Sequence, residues 1–289
     1  MTTLRYAIVD VFTDRPFGGN PLAVVLDADG LTGGQMQSLA REFNLSETTF
    51  VLPASPGADY RVRIFTPEVE LPFAGHPSVG TAHTLARLGR IGRGRVVQEC
   101  GAGLLPVLVG PGEDDVVTLT GGTPEVGEPM DPAPLLAAVG LGTGDLVGPP
   151  PRLAGCGISF AFMGVRPDAV ARAVPHLDAL RDAGAGTGIS INAWDAGNRA
   201  AHTRVFCGDM GVPEDPATGS AALGYGVWLV ASGLLPGDGE SAYTLRQGLE
   251  IGRPSALDCT VRAEDGRVVR ATVAGRVVPV GSGEIRIPR

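Results

Sequence analysis

The hydrophobic pattern of the first quarter of the chain predicts two strands, a helix and two further strands. Val- and Ile-rich segments flank the turn sequence Pro16-Phe17-Gly18-Gly19-Asn20-Pro21, as expected for strands joined by a loop. Apolar residues then recur at helical spacing between Thr32, a predicted N-cap, and Asn44, a predicted stop. The four strands are predicted at residues 4–12, 22–26, 47–52 and 60–66.

Two later segments, residues 77–88 and 221–232, are predicted to be helices that are apolar on nearly every side. Gly89 and Gly233 follow them as C-terminal stops. A helix that is apolar all round is expected to be buried all round. Strands are predicted after each helix, so the simplest arrangement wraps a curved sheet around each of them.

The two apolar helices belong to an internal repeat. Arg63-Ile64-Phe65 precedes the first helix as Arg204-Val205-Phe206 precedes the second. One alignment matches His76-Pro77 to Asp215-Pro216, and another matches Gly75 to Gly219. We prefer the second alignment because it superposes the two helices rather than only the loops before them. Either alignment predicts two copies of one structural unit.

The length of 289 residues accommodates two domains. We predict an N-terminal unit at residues 1–123 and a C-terminal unit at residues 155–276. Residues 124–154, rich in Pro and Gly, are the predicted connection, with a short helix at 132–139. The last strand, within residues 277–289, is expected to join the N-terminal unit.

Composition limits the classes of partner and the compartment. The net charge is −8 and no basic stripe occurs, so nucleic acid is not an expected partner. Residues 1–11 do not form a basic and apolar leader, and the apolar run at 221–231 is too short and Gly-interrupted to span a bilayer. We therefore expect a cytoplasmic protein without a membrane partner.

The four cysteines and four histidines are scattered without metal-ligand spacing, so no metal site is expected. All 23 basic residues are arginine, and the chain contains no lysine. Schiff-base catalysis, a lysine-linked pyridoxal phosphate and the lysine of a Walker loop are therefore excluded. Any isomerase chemistry must use carboxylates, His, Ser, Cys or backbone groups.

Glu47 is the first candidate for proton transfer, because it stands where the predicted helix ends and a strand begins. A glutamate in a dry cleft can have its pKa raised and can act as both acid and base. The alternative is a surface strand residue. Glu68 and Glu70 are rival carboxylates, but their position before Gly75 is more typical of solvated loop charges.

The two glycines that open the predicted apolar helices indicate anion-binding corners. The first N–H groups of a helix have no intrahelical partner and carry the positive end of the dipole. Gly219 and Ser220 are therefore candidates to hold a carboxylate beside Asp215. Read alone, this segment is more often a turn and a cap.

His76 follows Gly75 at the start of the first apolar helix. The positive end of the helix dipole favours the neutral imidazole, which can donate or relay a proton. A packing role is the alternative for a lone histidine. Asn20, in the glycine-rich turn, is a candidate for a neutral hydrogen bond to a substrate.

Five motifs occur in order over essentially the whole chain: Phe17-Gly18-Gly19-Asn20-Pro21, Asn44-Leu45-Ser46-Glu47-Thr48, Gly75-His76-Pro77, Glu214-Asp215-Pro216-Ala217-Thr218-Gly219-Ser220-Ala221, and Arg246-Gln247-Gly248 with Gly252-Arg253-Pro254-Ser255. Together they resemble the PhzF-like isomerase family of phenazine biosynthesis. The resemblance implies the diaminopimelate-epimerase-like α+β fold, in which two pseudo-symmetric domains each wrap a curved, barrel-like sheet around a central helix. It also implies an active site in the cleft between the domains.

The resemblance implies that Glu47 is the acid/base glutamate and that His76, Asp215 and Ser220 are active-site residues. The family's isomerase moves a proton within a cyclohexadiene amino acid without a cofactor, and its members are commonly homodimers. Related two-base racemases use one cysteine from each domain. Gly75 and Gly219 occupy the corresponding places here, which disfavours two-thiol epimerisation.

The sequence therefore predicts a cofactor-independent isomerase in which Glu47 moves a proton between carbons of a small carboxylated substrate. The helix-start amides at Gly75 and Gly219 are expected to stabilise the enolate-like charge. One alternative is an amino- or hydroxy-acid epimerase with His76 or Asp215 as second base. Another is a non-catalytic member that binds a small molecule or a protein.

Overall fold

The computed structural model describes residues 3–112, 116–208 and 213–288, which fall into two compact units. Unit 1 comprises Met1–Thr120 with Ala274–Arg289, and unit 2 comprises Gly121–Val273.

Unit 1 contains two helices among short and long strands. The elements are β1 (Thr3–Val11), β2 (Asn20–Val25), α1 (Gly33–Phe43), β3 (Glu47–Leu52), β4 (Tyr60–Phe65), β5 (Glu70–Leu71), α2 (Gly75–Arg87), β6 (Gly94–Cys100), β7 (Gly103–Val109), β8 (Val117–Thr120) and, from the C-terminal end of the chain, β18 (Val277–Arg286).

Unit 2 has the same kind of content with three additional short helices. The elements are β9 (Pro124–Pro129), α3 (Pro132–Ala138), β10 (Arg152–Cys156), β11 (Ser159–Gly164), α4 (Pro167–Arg172), α5 (Leu177–Asp182), β12 (Ile189–Asp195), β13 (Ala200–Phe206), β14 (Glu214–Asp215), α6 (Gly219–Ala231), β15 (Gly239–Gln247), β16 (Ser255–Glu264) and β17 (Arg267–Gly275).

Helix α2 is the centre of unit 1. Its residues from Gly75 to Ala86 are all buried, and it packs against β1, β2, β3, β7, β8 and β18. Around it, β1 pairs antiparallel with β2 and β18, β2 runs parallel to β3, β3 is antiparallel to β4, and β4 is parallel to β6. The predicted apolar helix is confirmed, and its small residues explain why strands can approach it from several sides.

Helix α1 lies on the outside of this sheet and closes a second core. Met36, Leu39 and Ala40 are buried in a cluster with Phe50 and Phe65. Both predicted ends are confirmed: the Thr32 hydroxyl accepts from the Gln35 N–H in a capping box, and Asn44 adopts the left-handed conformation at φ 50°.

Helix α6 is the centre of unit 2, with Gly219 to Val230 buried. It packs against β9, β10, β11 and β16. The ladder repeats that of unit 1: β10 and β11 are antiparallel, β11 is parallel to β12, β12 is antiparallel to β13, and β13 is parallel to β15. Helices α3, α4 and α5 cover a separate hydrophobic cluster of this unit.

The structure confirms the alignment that matches Gly75 to Gly219, because each glycine starts a helix of 13 residues. A two-residue strand precedes each helix, with Glu70 opposite Phe65 in one unit and Glu214 opposite Phe206 in the other. Each glutamate accepts two hydrogen bonds from an arginine of the neighbouring strand, Arg63 or Arg204 respectively. The repeat therefore extends from backbone pairing to side chains.

The Pro- and Gly-rich residues 124–154, predicted as a connection, lie within unit 2 instead. Strand β9 pairs antiparallel with β10, and α3 contributes Leu135 and Leu136 to the hydrophobic cluster. The prolines are accommodated because most of β9 is exposed. Among the described residues, no helix is long and apolar enough to cross a membrane.

Candidate functional site

Glu47 and His76 meet inside unit 1. Glu47 is the first residue of β3, where the parallel register places it beside Leu22 of β2. His76 is the second residue of α2. The Nε2 atom of His76 lies 3.4 Å from Oε2 of Glu47, and the side chains are only 4% and 8% exposed. A carboxyl group and an imidazole therefore share a nearly dry environment.

The imidazole of His76 is neutral in this environment. Burial lowers the pKa of His76 to about 3, and a hydrogen bond to the backbone of Pro21 opposes that shift only partly. Pro21 has no N–H, so its carbonyl oxygen accepts from the ring. With Nε2 facing Glu47, the donor is Nδ1, and Nε2 of the neutral ring is left as an acceptor. It can take a hydrogen bond from the Glu47 carboxyl group when that group is protonated.

Asn20 and Pro21 are the first two residues of β2, and the Pro21 carbonyl contacts His76 of this pair. Asn20 is fully buried and opposite Val11 in the β1–β2 ladder. The buried Asp10 carboxylate accepts the N–H of Phe17 at 2.6 Å, which fixes the start of the turn. Gly19, at φ 63°, has no room for a Cβ beside the Val11 carbonyl. Sequence reasoning missed Asp10, although a carboxylate inside an apolar strand was a usable signal.

The helix starts in both units lack a side-chain cap. Neither Ala74 before α2 nor Thr218 before α6 has a side chain that bonds a helix amide, and neither first turn contains an acidic residue. Gly75, Gly219 and Ser220 are buried in these first turns. Neither helix therefore carries an acidic residue in its own first turn, and the positive end of the helix dipole favours an anion nearby.

Asp215 lies half-buried in β14 of unit 2. The hydroxyl group of Thr218 donates to Asp215 Oδ2 at 2.6 Å. The same short loop leads directly into Gly219 and Ser220. Asp215, Gly219 and Ser220 thus lie in one short segment of unit 2. In unit 1, Glu47 contacts His76, Gly75 precedes His76 in α2, and Asn20 precedes Pro21, whose carbonyl accepts from His76.

The other candidate groups for proton transfer, two glutamates and a buried thiol, lie in different environments. Glu68 is exposed, and Glu70 is engaged by Arg63 in a bidentate ion pair. Burial raises the pKa of the Cys156 thiol to about 12, so this thiol stays protonated at neutral pH. No group of three or more metal-ligating side chains occurs in the part of the chain that the structure describes.

Comparison with known proteins gives consistent matches over the whole chain. A family model described as phenazine biosynthesis-like protein matches residues 9–283. Trans-2,3-dihydro-3-hydroxyanthranilate isomerase of Pseudomonas aeruginosa is 36% identical over 282 residues, which cover 96% of this chain and 98% of the relative.

Two solved structures show the same architecture. A PhzF family protein of Bacillus anthracis superposes with a TM-score of 0.89 at 29% identity, covering 99% of this chain and 100% of that chain. A Pseudomonas aeruginosa protein described as a predicted epimerase superposes with a TM-score of 0.82 at 34% identity, covering 98% and 99% respectively.

Proposed function

Because the chain belongs to the phenazine biosynthesis-like (PhzF-like) family, we propose that it is a cofactor-independent isomerase in which Glu47 moves a proton between carbons of a small substrate. The diaminopimelate-epimerase-like fold and the isomerase kind are common to this family and to the chain. Beyond the fold and the isomerase kind, the proposal names Glu47 as the residue that carries the proton. It also names the class of substrate, a carboxylated, amino-acid-like molecule.

The observation that carries the proposal is the buried contact between Glu47 and His76. As a carboxylate, Glu47 removes a proton from carbon, and as a carboxylic acid it returns that proton to another carbon. Between the two steps the neutral Nε2 of His76, 3.4 Å away, accepts a hydrogen bond from the protonated carboxyl group. When the protonated carboxyl group exchanges with solvent before the second step, deuterium from the buffer is carried to the product.

The negative charge that develops on the substrate needs donors that are already in place. The helix start at Gly75 supplies backbone N–H groups and the positive end of the α2 dipole. In this proposal Gly219 and Ser220 bind the substrate carboxylate, Asp215 orients its amine or hydroxyl group, and Asn20 adds a neutral hydrogen bond. No atom or electron is gained or lost overall, so the net reaction is an isomerisation.

The relative's named substrate, trans-2,3-dihydro-3-hydroxyanthranilate, is the first candidate to test, since it carries a carboxylate and an amine. The protein is incubated with this acid and with a panel of carboxylated amino acids in deuterated buffer, and products are followed by NMR. We expect one deuterium on the carbon that receives the proton and loss of hydrogen from a different carbon. Unchanged spectra for the whole panel would refute the proposed activity.

An epimerase is the second candidate function, and the 34% identical protein described as a predicted epimerase favours it. In that case Glu47 acts with His76 or Asp215 as the second base. The same NMR experiment separates the two reactions. Deuterium at an unmoved stereocentre, accompanied by its inversion, indicates epimerisation rather than proton transfer between carbons.

A further inference from the structure

The buried side-chain amide of Gln247 joins β15 to the loop that carries Asp215. Gln247 is 1% exposed. Its Nε2 donates to the backbone carbonyl of Asp215 at 2.7 Å, and its Oε1 accepts the backbone N–H of Thr218 at 3.1 Å. A carbonyl only accepts and an N–H only donates, so these two backbone partners fix which end of the amide is nitrogen.

The orientation of the amide determines the direction of the Thr218 hydroxyl group. Gln247 Nε2 also donates to Thr218 Oγ1, at 2.9 Å. The hydroxyl oxygen is therefore the acceptor of that bond, and its hydrogen points to Asp215 Oδ2, 2.6 Å away. A directed chain of hydrogen bonds runs from Gln247 through Thr218 to the carboxylate of Asp215. Such chains polarise each member and hold the last one in one orientation.

The other side of the same loop is clamped by the segment that follows Gln247. The Ser255 hydroxyl donates to the Pro216 carbonyl at 2.9 Å. Gly248 adopts φ 75°, and a Cβ there would lie 2.7 Å from that same carbonyl oxygen. Gln247, Gly248 and Ser255, which belong to the fifth motif of the resemblance but were not predicted as site residues, thus contact the Asp215 loop.

We propose that Gln247 is a positioning residue, which aims the Asp215 carboxylate at the amine or hydroxyl group of the substrate through Thr218. This inference rests on the proposed function, because Asp215 is the substrate-orienting residue there. Gln247 itself acts through the loop. Its loss should therefore weaken substrate binding rather than remove the acid/base step at Glu47.

The kinetic test uses Gln247→Met, which keeps the length of the side chain but forms none of the three hydrogen bonds. We expect KM to rise and kcat/KM to fall by about 10-fold to 100-fold, as for loss of a hydrogen bond to a charged group. Thr218→Val should have a similar effect, whereas Thr218→Ser keeps the hydroxyl group and should rescue most of it. Equal losses for Val and Ser would overturn the proposal.

A double-mutant cycle separates positioning from a merely structural role. In the Asp215→Asn background, Gln247→Met should lower kcat/KM by less than about a further two-fold, because the carboxylate that Gln247 positions is already absent. Asn192→Leu is the control. Asn192 is a fully buried amide of unit 2 that donates to Ser190 and Met163 backbone oxygens. Asn192→Leu should lower kcat/KM by the same factor in the Asp215→Asn background as in the wild type. If Gln247→Met also causes the same factor of loss in both backgrounds, the proposal is overturned.

A ligand-free measurement keeps this inference separate from the proposed function. The ¹³C NMR resonance of the Asp215 carboxyl carbon should shift in Gln247→Met and in Thr218→Val, but not in Asn192→Leu. If no acid is isomerised and this pattern is seen, the proposed function fails while the positioning of Asp215 stands. An unchanged resonance in Gln247→Met overturns the positioning role, whatever the activity of the wild type.

Discussion

At the scale of single residues, burial decides the charges at the candidate site. His76 keeps a neutral ring because its surroundings cannot solvate an imidazolium, and the Pro21 carbonyl fixes which nitrogen carries the proton. The neutral ring faces Glu47 with an acceptor, not with a positive charge. In the proposed mechanism this acceptor is available to the Glu47 carboxyl group when that group is protonated.

The neutral His76 predicts a pH dependence of stability. Its pKa is about 3 in the folded protein against an ordinary value of 6.5, so the unfolded chain binds an additional proton between these values. The contribution of neutral His76 to the free energy of unfolding is therefore complete above about pH 6.5 and is lost as the pH falls towards 3. His76→Asn should lose less stability than the wild type between pH 7 and pH 4.5, measured by urea unfolding.

The exposed His176 provides the control for that measurement. His176→Asn should follow the wild-type dependence on pH, because this side chain is exposed and not buried like that of His76. Identical curves for His76→Asn and the wild type would show that His76 is not held neutral by burial.

At the scale of elements, local signals predicted the helices well and the strand partners poorly. Both ends of α1 followed from Thr32 and Asn44, since capping is a local interaction. The central helices followed from apolar residues on every side. The Pro- and Gly-rich composition of 124–154 is equally typical of a linker and of an exposed edge strand, and only the pairing of β9 with β10 distinguishes them.

For the candidate site, too, the sequence predicted individual residues but not the contacts between them. Glu47, His76 and Asp215 each stand out in the sequence, but their partners depend on long-range packing. The contact of Glu47 with His76 requires the β2–β3 register and the packing of α2 against these two strands. Gln247 lay in a recognised motif, yet its role follows only from the folding of β15 against the Asp215 loop.

The packing of α6 gives a prediction at this scale. A Cβ on Gly226 would lie 2.5 Å from Val261 Cγ1 and 3.0 Å from Tyr243 Cε1. Tyr243 cannot move easily, because its hydroxyl donates to the Ala222 carbonyl at 2.6 Å. Gly226→Ala should therefore lower the free energy of unfolding by about 1–3 kcal/mol, measured in urea.

Gly34 in α1 is the matched control, because a Cβ there meets nothing within 4 Å. Gly34→Ala should be neutral or should raise the stability by up to about 1 kcal/mol through its higher helix propensity. A loss for Gly34→Ala as large as that for Gly226→Ala would indicate a general intolerance of helix substitutions rather than close packing of α6.

At the scale of the whole molecule, the two units repeat the same pattern of strand pairing but differ in the side chains at matching places. The first residue of β3 is Glu47, whereas β12, which pairs in the same parallel manner, begins with Ile189. The second residue of α2 is His76, and that of α6 is Ser220. The Glu47–His76 pair of unit 1 thus has no copy at these matching places of unit 2. This asymmetry favours an isomerase with one proton-carrying residue over a symmetric two-base mechanism.

The most direct measurement of this role for Glu47 compares Glu47→Gln with Glu68→Gln, the same substitution at an exposed glutamate of the same unit. Incorporation of solvent deuterium into the substrate is followed by NMR for both variants and the wild type. Glu47→Gln should be slower than the wild type by at least about 100-fold, as for loss of a general acid/base, while Glu68→Gln should match the wild type. Exchange by Glu47→Gln at the wild-type rate would contradict the assignment of Glu47 as the proton carrier.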